Sequence, residues 1–227
     1  MDELAYWQPF KIILVRKPLS ILFMNLCKKG LSLNMIPYQK QKIENAICFF
    51  AHEHKKETRK PLYQTFLYKY LAFLDFESIK ETGRPCLGLE YMAMQRGPVP
   101  IIIYNQRDKI KSDLFQFISD QDDRWVILAK TKPNLDYFSK KEINLMQKLI
   151  EIYADSYITS TLISDATHQA ILAWKKTWRE APNGIIDYAA EFKGNLLSKK
   201  EEDLTYPEES YLIYRALEMW LLKSVRY

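Results

Sequence analysis

The sequence predicts a mainly α fold with a small β element (α+β): a compact single-domain helical fold carrying a short hairpin or small sheet. Three observations lead there. Apolar residues recur at helical spacing over residues 42–54, 61–79 and 139–153. The twenty residues ETGRPCLGLEYMAMQRGPVP, positions 81–100, hold Gly83, Gly88, Gly97, Pro85, Pro98 and Pro100, from a chain of 227 residues with only six glycines and ten prolines. A brief apolar run, WVILAK at 125–130, is short enough for a strand and too short for a helix.

The elements follow in order. Within residues 10–27 an apolar stretch is cut by Arg16, Lys17 and Pro18 into runs too short for a membrane span of about twenty residues or a signal core. Residues 1–34 therefore read as an N-terminal extension, ahead of a domain over 35–193. Ile43, Ala46, Ile47 and Phe50 form one face of a first helix, and its charged tail HEHKKETRK reads as the turn. Pro61 suits the first turn of a second helix, where its missing N–H costs nothing. That helix carries Leu62, Phe66, Leu67, Tyr70, Leu71, Phe73, Leu74 and Ile79, apolar over more than half its circumference, and should be the most buried. Two polar residues interrupt it, Lys69 and Asp75. Either both sit at the rim, with Lys69 reaching solvent along its stem, or Asp75 accepts hydrogen bonds from a neighbouring loop and fixes it. Gly83 ends the helix in the left-handed position that glycine tolerates.

Residues 85–94 alternate, with Leu87, Leu89, Tyr91 and Ala93 on one side, as a short strand or hairpin does. Gly97–Pro100 reads as a rigid extended connector rather than an inner strand, launching residues 101–104 into a helix. Ser139 and Glu142 form a capping box before Ile143, Met146, Leu149, Ile150 and Tyr153. Thr159 caps a further helix, and residues 157–178 read as two brief helices broken near His168. Pro207 precedes a last helix over 208–225, acidic at its start and basic at Lys223 and Arg226, in a C-terminal helical extension (194–227) packed on the domain.

Chemistry is harder to find. The charge balance is 33 basic to 28 acidic residues, a formal +5, and the basic doublets at 28–29, 55–56, 140–141, 175–176 and 199–200 are spread along the chain with acids nearby. A nucleic-acid binder would cluster them, and no helix-turn-helix is visible. Cys27, Cys48 and Cys86 are scattered without metal-ligand spacing, which fits reduced thiols in the cytoplasm and no cofactor or metal. Cys86, His168 and Asp165 can be imagined as a hydrolase triad, but no oxyanion loop accompanies them. His168 reads instead as a structural histidine tied to Asp165 or to backbone. His52 and His54 diverge on a helix. The acids Asp122, Asp123, Glu201, Glu202 and Asp203 read as solvated, and no phosphate loop exists. A non-enzymatic binding protein is the expectation.

One resemblance sharpens it. Thr65, Leu67, Lys69 and Leu71, then Asp75, Thr82-Gly83-Arg84, Tyr91 and Ala93, Gly97–Pro100, Phe138-Ser139, Ser164-Asp165 with His168, and Ala173-Trp174-Lys175 follow one another in an order and spacing that resembles the Panacea (SocA-like, or GepA-type phage-associated) antitoxin domain. The likeness covers about residues 36–190 and departs at Phe66, Tyr70 and Ala72. It implies an antitoxin-like protein of a type II toxin–antitoxin module, often phage-associated or on mobile DNA, which neutralises a cognate protein toxin by direct protein–protein binding. A proteolytic adaptor delivering a bound toxin to a protease, or a DNA-binding autoregulator, are the alternatives. Within that resemblance, Tyr91, Arg96, Gly97, Pro98, Val99, Pro100 and Trp174 are the expected partner-binding face, unless they only fix the packing of the second helix. Thr65, Leu67, Lys69, Asp75, Gly83, Asp165 and His168 are the expected structural motif.

Overall fold

The computed structural model describes residues 36–119 and 124–224, with side chains to 220. The extension over 1–34, Asp122, Asp123 and the basic end at Lys223 and Arg226 lie outside the described side chains.

The described residues form seven α-helices, one of them buried among its neighbours. α1 (Gln39–Thr58) leads through β1 (Leu62–Tyr63) into α2 (Gln64–Thr82). The hairpin β2 (Tyr91–Met94) and β3 (Gly97–Pro100) runs into α3 (Ile101–Gln106). β4 (Phe115–Ser119) and β5 (Trp125–Ala129) precede α4 (Lys140–Tyr153), α5 (Ser160–Ala170) and α6 (Leu172–Glu180), and α7 (Tyr206–Ser224) closes the chain after three short 3-10 turns. β1, β5 and β4 form one antiparallel sheet, and β2 and β3 a second, two-stranded one.

Because α2 is apolar nearly all round, it can be stable only where neighbours cover every face. Thirteen of its residues are buried, and α1, α4, α5, α7 and β3 pack against it. Aromatic rings set two of these contacts. Phe50 of α1 stacks on Tyr70 with centroids 4.8 Å apart, and Tyr153 of α4 stacks on Phe73 at 5.0 Å.

Four expectations are corrected. α1 continues through the charged HEHKKETRK segment to Thr58, because His54 turns inward to bond Tyr70 while Glu53 and Lys56 pair on the surface at 2.7 Å. Pro61 leads into β1, whose pairing with β5 delays the start of α2 to Gln64. The break between the two brief helices falls at Ile171, whose extended backbone separates α5 from α6. Gly97–Pro100 is itself a strand. On β2, Tyr91 and Ala93 direct their backbone groups to residues 183–186, through Ala93 N to Gly184 O and Ile186 N to Tyr91 O, both 2.9 Å. Met92 and Met94 therefore face Val99 and Gly97, leaving Pro98 and Pro100 at positions that need no donor.

The N-termini behave as their chemistry dictates. Ser139 and Glu142 complete the capping box of α4, and the Thr159 hydroxyl accepts from Leu162 N at 3.2 Å at the start of α5. Pro207 lies inside the first turn of α7. That turn packs on Gly83, where φ is +74° and an added Cβ would stand 2.1 Å from Pro207 O. Tyr211, Leu212 and Tyr214 then join Ile79, Phe192 and Leu196 in a second apolar cluster beside the main core. Among the described residues no helix is long and apolar enough to cross a membrane.

Candidate functional site

The resemblance residues converge on two polar knots along α2. The first is Asp75, which is 0% exposed. Its Oδ1 accepts from the backbone amides of Leu87 (2.5 Å) and Gly88 (3.1 Å), and its Oδ2 from Leu89 N (3.2 Å), Tyr91 Oη (3.0 Å) and Tyr188 Oη (3.2 Å). The Tyr188 hydroxyl also lies 2.7 Å from Leu89 O. Burial pushes the carboxyl above its ordinary range, while the three amides and the Tyr91 hydroxyl pull it back toward the anion. The loop is thereby wound around one carboxylate, so of the two readings the sequence leaves open, the loop-fixing one describes Asp75 and the rim one is excluded.

The second knot is Lys69, 1% exposed, six residues earlier on α2. Its Nζ donates to Pro98 O at 3.2 Å, and no carboxylate pairs with it among the described residues. Desolvation lowers its pKa to about 7. The amine lies directly under β3: a Cβ at Gly97, where φ is +98°, would stand 2.8 Å from Lys69 Nζ and 2.6 Å from Thr167 Oγ1. Glycine is needed there for both its dihedral and its bareness.

Beside this knot, His168 stacks face to face on Trp174, ring centroids 3.9 Å apart and planes within 6°, and Trp174 lies parallel to Trp178 at 6.0 Å. Trp174 Nε1 donates to Met94 O at 3.0 Å, tying α6 to the hairpin. Burial, then the nearby Lys69, lowers the His168 pKa, and Asp165 at 3.8 Å opposes them. That pair is too exposed to be worth much.

The expected partner face is placed differently. Tyr91, Gly97, Pro98, Val99, Pro100 and Trp174 are all buried, so they hold the hairpin on α2 rather than presenting it. Arg96, with Gln95 at the hairpin tip, is the member that reaches solvent. Thr65 and Leu67 lie in the first turn of α2, and Leu67 is fully buried.

Cys86 is buried, and burial followed by the charges of Glu142 and Asp75 pushes its thiol well up, the opposite of an activated nucleophile. The charged and polar groups that act on Cys86 (Glu142, Asp75, Lys42) and those that act on His168 (Lys69, Asp165) share no member. His52 bonds Glu53 at the surface and His54 bonds Tyr70 in the core, and among the described residues no group of three His, Cys, Asp or Glu could hold a metal ion.

Three contributors escape sequence reasoning. Tyr188 reaches Asp75 across 113 residues of chain. Glu191 Oε1 accepts from Ala173 N at 2.8 Å, capping α6 from outside it. Lys42 pairs with Glu142 at 2.6 Å, joining α1 to the capping box of α4. Only the last has a local signal, a glutamate already placed by its cap.

Residues 67–175 match the family model described as antitoxin SocA-like, Panacea domain. The matched stretch runs from the first turn of α2 into α6 and holds the Lys69 knot, the Asp75 knot apart from Tyr188, the hairpin and the His168–Trp174 stack. No curated protein and no solved structure matches the chain significantly.

Proposed function

From the match of residues 67–175 to the SocA-like Panacea domain, we propose that this protein is an antitoxin of a type II toxin–antitoxin module, which neutralises a cognate protein toxin by binding it directly in the cytoplasm. The family match carries this reading. The chemistry of the interior supports it: Asp75 spends its acceptor capacity on the chain's own loop, and Cys86 is buried as an inert thiol. In this proposal the protein is not an enzyme and needs no cofactor. It acts by covering the toxin, whose gene stands beside its own, on phage-related or other mobile DNA.

The test is co-purification. The full chain, tagged and produced together with the product of the adjacent open reading frame, should bring that product down as a stable complex that survives gel filtration. If the neighbour elutes alone at micromolar concentrations of both proteins, direct neutralisation is refuted.

A further inference from the structure

The β2–β3 hairpin is held unevenly along its length. At its base, the Tyr91 hydroxyl donates to Asp75 Oδ2, and the backbone groups of Tyr91 and Ala93 bond residues 183–186. Toward the tip, its side-chain ties to the described residues are Trp174 Nε1 to Met94 O at 3.0 Å and Lys69 Nζ to Pro98 O at 3.2 Å. Gln95 and Arg96, between those two ties, are exposed. The base is clamped and the turn is not.

An ammonium under that turn is short of acceptors. Charged, Lys69 Nζ carries three N–H groups, and the oxygens beside it are Pro98 O and Thr167 Oγ1, which borders the same space under Gly97. The Thr167 hydroxyl gives its proton to Ser164 O at 2.6 Å, so its oxygen is left as an acceptor. No counter-charge completes the set. β3 brings carbonyl groups, and Arg96 on the turn is exposed. α5 brings His168, whose Nε2 is buried without a hydrogen-bond partner among the described residues, with Asp165 behind it more than half exposed. A protonated His168 would repel the amine. On α2 itself, Asp75 is committed to residues 87–89 and two tyrosines. The neutral amine fits this space, whereas the ammonium needs water. Water reaches it with least loss by displacing the turn, which covers Nζ with the backbone of Gly97 alone, since α2 is packed against helices on its other faces.

We propose that Lys69 and the hairpin turn form a proton-operated latch: over a neutral amine residues 95–98 lie closed on α2 and α5, and protonation of the amine lifts them and admits water. The sign follows from the two environments of the amine. Burial holds its pKa at about 7 when the turn is closed, against 10.5 in water. The stability of the closed turn is fully present above pH 10.5 and is lost as pH falls toward 7. His168, lowered below its ordinary 6.5, stays neutral over that window and is not the switch. The latch needs nothing from the antitoxin reading. It governs how Gln95 and Arg96, the part of the hairpin that reaches solvent, are presented.

Amide hydrogen exchange of the full chain, read by NMR between about pH 9 and about pH 7 and corrected for intrinsic exchange, tests the latch. The Gly97 and Val99 amides, in the strand that pairs with β2, should lose protection as pH falls, by up to about tenfold per unit. They should stay at least about tenfold less protected than Leu71 in the middle of α2, because the turn opens while the fold persists. Lys69→Met should abolish the slope, and His168→Gln should keep it. Protection equal to that of Leu71 would mean that the turn opens only when the whole chain unfolds, and the proposal would be overturned. A flat profile in wild type, a slope retained in Lys69→Met, or a slope lost in His168→Gln would each overturn it as well. The comparison with Leu71 and the slope itself are read on wild type, so they decide the matter even where Lys69→Met does not fold.

Discussion

The carboxylate of Asp75 accepts a hydrogen bond from the backbone amide of Leu87, twelve residues further on, at 2.5 Å, with no exposure to bulk solvent. This bond and its companions replace secondary structure for the loop: residues 87–89 direct three successive amides at one side chain instead of at a strand or helix. Asp75→Asn keeps the shape but turns a donor toward Leu89 N, which cannot reverse its own direction as the tyrosine hydroxyls can. The expected cost is about 2–4 kcal/mol in urea unfolding, from a buried donor left facing a donor.

Lys69 predicts a pH dependence on the basic side. Its folded pKa of about 7 lies below the ordinary 10.5, so between those values the unfolded chain carries a proton that the folded chain lacks. Stability due to this group is fully present above pH 10.5 and is lost as pH falls toward 7. Relative to Lys69→Met, wild type should therefore gain stability with rising pH across that window, with a slope of at most about 1.4 kcal/mol per unit. Parallel pH profiles of the two proteins would contradict the buried, unpaired amine.

His54 predicts the corresponding loss in acid. Burial lowers its pKa from 6.5 to about 4, so its contribution is complete above 6.5 and disappears as pH falls to 4. His54→Gln, which keeps an acceptor for the Tyr70 hydroxyl, should remove that slope while shifting stability at pH 8 by about 1–2 kcal/mol. Chemical denaturation at a series of pH values reads both effects.

Gly83 is constrained twice, by its positive φ and by the carbonyl of Pro207 beside it. Gly83→Ala should loosen α7 before it unfolds the rest. Limited proteolysis is expected to release fragments cut near residues 195–205, and the global loss should be about 1–3 kcal/mol.

Much of this architecture is legible locally. The all-round apolar pattern of α2, the capping box at Ser139 and the glycine stop at Gly83 each state their structure within a few residues. Pro98 and Pro100 misled because strand pairing depends on which side the partner lies, and residues 183–186 on the far side of β2 decided it. The tail of α1 misled because a buried histidine inside a charged run looks the same as an exposed one until Tyr70 is placed. The interior position of Tyr91, Val99 and Trp174 escaped for a related reason: aromatic and rigid residues serve interfaces and cores alike, and only burial separates the two. The Asp75 knot was half legible, its acceptor visible in sequence and its distant donor Tyr188 not.

Growth rescue with the toxin level followed in the same cells tests the central claim most directly. The neighbouring gene product, expressed alone, should arrest growth, and co-expression of this chain should restore growth while the toxin persists at an undiminished level in a complex with it. Rescue accompanied by disappearance of the toxin would point to delivery for degradation, and an unrescued arrest would contradict neutralisation outright.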